Sequence, residues 1–150
     1  MSLLFLCDSL YAKTIRVGAQ QANTSIHAAL QNAVNGDTIL VEPGIYHEGN
    51  LIINKTITLI GLHHPVLDGD NKYEIISVKA NAVVVDGFKI IHSGISSIED
   101  FAGIKIYNVR DVIIRNNILE GSFLSKAIII FCNTNNTVGD DMFPYSLRIS

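Results

Sequence analysis

The chain has 150 residues, 48% of them hydrophobic and 17% charged. That is enough for about one packed domain and too apolar for a disordered chain. A net charge of −3 with scattered basic residues excludes the electrostatic footprint of a nucleic-acid binder. No stretch approaches the roughly 20 apolar residues of a membrane span.

In chain order, an apolar run at residues 3–7 followed by a polar stretch ending at Ala12 reads as a partial signal peptide over residues 1–12. It lacks a basic leading region, and it points to a periplasmic or secreted protein. Residues 14–17 read as a short strand. Residues 25–34 form the one convincing helix: Ile26, Ala29, Leu30, Ala33 and Val34 fall on a single apolar stripe. Thr24 or Ser25 supplies its N-cap, and Asn35-Gly36 ends it. His27 lies off the stripe and reads as a solvated residue. Such a helix is suited to lie flat over the open end of a repetitive stack.

Beyond the helix the chain is a succession of short β-branched runs. Ile39 and Val41 alternate with Leu40 and Glu42, as strand residues do, and Pro43-Gly44 marks a turn. Further strands are expected at 51–53, 56–60, 66–67, 75–78, 83–85, 88–91, 103–107, 112–114 and 118–119, with another unit beginning at 127–131. Three of these runs end at Gly61, Gly87 and Asn116, 26 and 29 positions apart. A repeat of that length cannot bury its own apolar face and must stack on its neighbours. With only turns between the strands, the expected fold is all-β: a right-handed parallel β-helix, a solenoid with a short N-terminal capping α-helix. Residues 13–123 are assigned to its N-terminal coils and cap. Residues 124–150 are assigned to a degenerate final coil and a divergent tail, so the chain reads as the N-terminal part of a longer solenoid or as one that needs a partner at that end.

Metal ligation, if present, falls to histidine. His47 lies near an expected corner, His63-His64 is a loop pair directly after Gly61, and His92 follows the equivalent strand of the next coil. Imidazole suits copper and zinc. Adjacent histidines need a third ligand from another coil, so His47, His63 and His64 are the candidate metal set, competing with surface loop histidines. Acid–base chemistry on polysaccharide would need two carboxyls facing one bond. Asp68, Asp70, Asp86, Glu99, Asp100 and Asp111 qualify by type, but the Asp–Gly pairs read as turn chemistry, and Arg110 and Arg115 look isolated. No catalytic residue is assigned. Asn116-Asn117 and Asn133 read as turn residues able to stack in ladders. Cys7 and Cys132 are not expected to pair.

Several pieces resemble the start of NosD-type proteins. These are Thr14-Ile15-Arg16-Val17-Gly18, Ser25-Ile26 with Ala28-Ala29-Leu30, and Gly36-Asp37-Thr38-Ile39-Leu40-Val41. Further on come Pro43-Gly44-Ile45-Tyr46-His47-Glu48-Gly49-Asn50-Leu51, Leu59-Ile60-Gly61, Pro65-Val66-Leu67-Asp68-Gly69 and Ser96-Ser97-Ile98-Glu99-Asp100-Phe101-Ala102-Gly103-Ile104. The Gly-Asp-Thr-Ile and Pro-Gly-x-Tyr pieces are common to pectin-lyase-like β-helices; Tyr46–Leu51 and the stretch 96–104 are more discriminating. The resemblance implies a non-enzymatic periplasmic accessory protein assisting assembly of the copper centre of nitrous oxide reductase. Copper is the implied cofactor, and an ABC-type transporter and the reductase are the implied partners. The alternatives are a polysaccharide lyase or hydrolase on the same fold, and a non-catalytic carbohydrate- or protein-binding scaffold.

Overall fold

A computed structural model describes residues 11–94, 101–120, 126–131 and 135–139. The signal-peptide expectation falls almost wholly outside these residues, as do Cys7, Cys132, Asn133, most of the 92–101 loop and most of the tail. Among the described residues there are fourteen strands and one helix. Strand β1 (Thr14–Val17) and helix α1 (Ile26–Asn32) precede β2 (Thr38–Val41), β3 (Ile45–Tyr46) and β4 (Leu51–Ile53). The triplet then recurs as β5 (Thr58–Gly61), β6 (Val66–Asp68), β7 (Ile76–Val78) and as β8 (Val84–Asp86), β9 (Lys89–Ile91), β10 (Ala102–Tyr107). It recurs once more as β11 (Ile113–Arg115), β12 (Ile118–Glu120), β13 (Lys126–Phe131), and β14 (Thr137–Gly139) opens the next coil.

Among the described residues every strand pairing is parallel and joins equivalent strands of successive coils, giving three sheets: β1-β2-β5-β8-β11-β14, β3-β6-β9-β12 and β4-β7-β10-β13. These are called sheets A, B and C below. The chain is a parallel β-solenoid of about four turns, as the repeat requires. Thr38 pairs with Thr58, Thr58 with Val84, Val84 with Ile113 and Ile113 with Thr137, so successive coils take 20, 26, 29 and 24 residues. Strands β13 and β14 stay in register with the coil beneath them.

Alternation explains the core. In sheet A, one row of inward side chains runs Ile15, Ile39, Leu59, Val85, Ile114 and Val138, each paired with the next. Leu67, Ile90 and Leu119 form the equivalent row in sheet B, and Leu51, Ile76, Ile104 and Ile128 in sheet C. All but Val138 of these residues are buried, and Val138 packs against them. At roughly 1.5–3 kcal/mol for each fully buried aliphatic side chain, these rows outweigh any surface contact.

The corner between sheets A and B is where Gly61, Gly87 and Asn116 meet, which explains their recurrence in sequence. Gly87 has φ +81°, and a Cβ there would lie 2.5 Å from the Gly61 carbonyl oxygen. Asn116 takes the left-handed conformation, φ 55°, one coil on. Beside it Asn117 is fully buried. Its Oδ1 accepts from the Phe88 N–H at 3.0 Å, and its Nδ2 donates to the carbonyls of Val85 (3.1 Å) and Arg115 (2.8 Å). Backbone groups exposed by turning the corner are thereby satisfied inside the coil.

The N-terminal end is closed by α1, which touches β1, β2 and β4. The helix stops two residues short of the stripe's end, with Ala33 extended. The Asp37 carboxylate holds that exit: it accepts the Val34 N–H (2.9 Å) and the Lys13 N–H (2.9 Å). Lys55 Nζ donates to the terminal carbonyls of Leu30 (2.9 Å) and Gln31 (2.8 Å). The backbone donors of Lys13 and then Val34 keep the Asp37 carboxyl below its usual range despite burial.

Gly87→Ala combines a strained φ with a carbonyl clash. It should destabilise by at least about 2 kcal/mol in urea unfolding; a change within about 0.5 kcal/mol would contradict the corner geometry.

Candidate functional site

Two polar clusters stand out on the coil exterior. The first is at the C-terminal end of the sheet B strands. Because Tyr46 pairs with Leu67 and Asp68 with Ile91, the residues that follow β3, end β6 and follow β9 superimpose. His47 Nδ1 lies 2.9 Å from Asp70 Oδ1, and His92 Nδ1 lies 3.0 Å from Asp68 Oδ1. The Asp70 N–H donates to Asp68 Oδ1 at 2.9 Å, folding Asp68-Gly69-Asp70 into a tight turn. One ligand atom from each of His47, Asp68 and Asp70 lies within 4.8 Å of the others. The His47 and Asp70 side chains are about half exposed, whereas that of Asp68 is only 13% exposed. Burial pushes the Asp68 carboxyl up, but the Asp70 N–H, the His92 ring and the charges of His92 and His47 together outweigh it. Asp68 therefore stays below the usual aspartate range.

His63 and His64 are placed elsewhere. Both are left-handed, φ 58° and 55°, in the corner leading into β6. That is the opposite end of sheet B from His47. His64 Nε2 lies 3.2 Å from the Asn116 carbonyl oxygen. The structure thus joins His47 to Asp68, Asp70 and His92, and not to the histidine pair. Register was the missing signal: the pairing of Ile45 with Val66 and Tyr46 with Leu67 puts His47 beside Asp68.

The second cluster, unforeseen in the sequence, lies on the outer face of sheet C. Glu74 and Ser77 are buried. Ser77 Oγ–H is shared between Glu74 Oε1 and Asn50 Oδ1, the latter at 2.9 Å. Tyr107 OH donates to Glu74 at 3.1 Å, and Lys105 Nζ lies 3.5 Å from it. Lys79 and Lys105 flank the Tyr107 ring at 4.9 and 5.2 Å from its centroid, within cation–π range. Burial first, and Glu74 second, push the Tyr107 hydroxyl up. This network ties β7 to β10.

Most of the remaining described carboxylates also hold the coils, Asp111 being paired only with its neighbour Arg110 (3.7 Å). Asp86 receives Arg115 Nε (2.8 Å) and Asn116 Nδ2 (3.0 Å) from the coil above, so Arg115, isolated in sequence, is paired in space. Glu120 pairs with Lys89 (3.1 Å) and Glu42 with Arg16 (3.6 Å). Glu48 anchors the cap helix: its carboxylate accepts Ser25 Oγ–H (2.7 Å) and the N–H groups of Ile26 and His27 (2.8 Å each). The His27 ring bonds the Glu48 carbonyl at 2.8 Å, so His27 is a cap residue rather than a solvated one. Within the Tyr46–Leu51 piece, Tyr46 OH also bonds the Glu42 carbonyl (2.9 Å), Gly49 takes φ +72° and Asn50 meets Ser77. His47 is left facing outward.

A cell surface glycoprotein of Methanothermus fervidus is 29% identical to this chain over 117 residues, covering 76% of the chain. The chain corresponds to 18% of that protein's length. No family model matches, and no solved structure matches. Among the described residues no helix is long and apolar enough to cross a membrane.

Glu48→Ala removes three hydrogen bonds at the helix start and should destabilise by about 1–3 kcal/mol. His47→Ala, one residue away, removes one exposed hydrogen bond, to Asp70, and should stay within about 1 kcal/mol. Thermal unfolding of the two variants side by side checks this; equal losses would refute the division of labour within the loop.

Proposed function

We propose that this chain is a stretch of an extracytoplasmic β-solenoid, a surface-type scaffold whose outer faces bind other molecules rather than transform them. The observation that carries the reading is the employment of its carboxylates. Each described Asp and Glu is held in an ion pair or hydrogen bond, most of them between coils or onto the cap. A polysaccharide lyase or hydrolase needs acids converging on one substrate bond; among the described residues only Asp68 and Asp70 share a corner, in one tight turn with His47 and His92 bonded to them, and the others are spread over separate corners and edges. The likeness to a cell surface glycoprotein over 117 residues supports the location.

A second, finer reading is favoured by one observation. His47 lies inside the piece that resembles NosD-type proteins and takes no part in the cap. In that reading the chain assists assembly of the copper centre of nitrous oxide reductase beside an ABC-type transporter, with copper at His47 or at the His63-His64 pair, which lie at opposite ends of sheet B and do not form one site. Copper titration before and after His63→Ala with His64→Ala separates it from the broader reading: unchanged binding removes the pair.

The broader reading is tested in two arms. Protease treatment of intact host cells should digest the chain while a cytosolic marker survives. Incubation of the purified chain with polyuronides should release no unsaturated product. Protection from protease overturns the location, and release of unsaturated sugar overturns the non-catalytic role.

A further inference from the structure

We propose that His47, Asp68 and Asp70 form a binding site for a divalent transition-metal ion of the zinc class, with His92 as the outer partner that positions Asp68. The inference goes beyond the scaffold reading and does not depend on what the scaffold binds.

The donor set is one imidazole nitrogen and two carboxylate oxygens. Zn2+ and its neighbours take such borderline and hard ligands at about 2.0–2.2 Å, which places tetrahedral ligands about 3.4 Å apart. The three ligand atoms already lie within 4.8 Å of one another, so small side-chain rotations close them on one ion. No thiolate is in the set, which disfavours Cu(I), and two carboxylates fall short of the six to eight oxygens that Ca2+ prefers. His92 is not among the three mutually close groups, but its Nδ1 is 3.0 Å from Asp68 Oδ1. An imidazole bonded to a ligating carboxylate orients that ligand without itself touching the ion.

The ligands come from different coils, His47 after β3 and the two aspartates at the end of β6, and His92 after β9 adds a third. A bound ion would therefore staple consecutive rungs at one corner. The exposed sides of His47 and Asp70 leave its remaining positions to water.

The experiment uses the full chain without a histidine tag. Zn2+ is titrated calorimetrically and thermal unfolding is followed in parallel, with Ca2+ as the control. One equivalent of Zn2+ should bind at micromolar concentrations and raise the unfolding temperature, and equimolar Ca2+ should do neither. His47→Ala and Asp70→Asn should each weaken Zn2+ binding at least 10-fold. His92→Ala should weaken it about 10- to 100-fold, and the double variant His63→Ala with His64→Ala should leave it unchanged. His47 and Asp70 are exposed, so their variants are expected to fold; Co2+ absorption of the wild-type chain, lost in His47→Gln, gives a second readout. No Zn2+ binding at millimolar concentration, binding indifferent to His47 and Asp70, or binding abolished by the His63/His64 double variant would overturn the proposal.

Discussion

An aliphatic side chain on one coil must sit directly over an aliphatic side chain on the next; the remainder of the molecule is arranged around that requirement. The inward row of sheet A, from Ile15 through Ile39, Leu59, Val85 and Ile114 to Val138, shows it most simply. A slip of one residue would turn that row outward and bring Leu40, Ile60 and Asp86 into the interior. Burying the ionised Asp86 there would cost several kcal/mol, more than the exterior ion pairs at roughly 0–1 kcal/mol each could offset. The interior therefore sets the register, and the exterior inherits it. Coil length is free to vary, because the turns absorb 20, 26, 29 or 24 residues without disturbing the pairing.

That inheritance creates the surface chemistry. Residues far apart in the chain become neighbours when they hold the same place in successive coils. Asp86 meets Arg115 and Asn116, and Glu120 meets Lys89. His47 meets the Asp68–Asp70 turn, which in turn meets His92. Most of these contacts serve cohesion. The corner at His47 differs because two of its three donors, those of His47 and Asp70, are exposed and all three are of metal-binding type, and because no cap or sheet closure uses the His47 side chain.

Much of the fold was legible because it rests on local signals. β-branched runs gave the strands, the spacing of Gly61, Gly87 and Asn116 marked one corner of every complete coil after the first, and the apolar stripe gave the cap helix. The first coil was harder to see, since Val41 rather than a turn residue occupies the corner position paired with Gly61. The long-range side-chain bonds were not legible at all. Glu48 capping a helix more than 20 residues earlier, Asp37 joining Lys13 to Val34, and Asn117 filling the corner interior are visible only once the coils are aligned. The same holds for the candidate site: adjacency in sequence favoured His63-His64, whereas stacking favours His47 with Asp68 and Asp70. Parts of the resemblance to NosD-type proteins have a structural origin too, since Asp37, Tyr46, Glu48 and Gly49 build the cap and first coil that a β-helix needs.

Spin-label distances along one outer row of sheet A test the stacking most directly. Thr14 is labelled in each variant, together with Thr58, Val84, Ile113 or Thr137, which lie in a single register row. Each further coil should add about 4.8 Å, whether it contains 24, 26 or 29 residues. Distances that follow the number of intervening residues, or that fall back as the partner moves along the row, would contradict a stack of parallel coils.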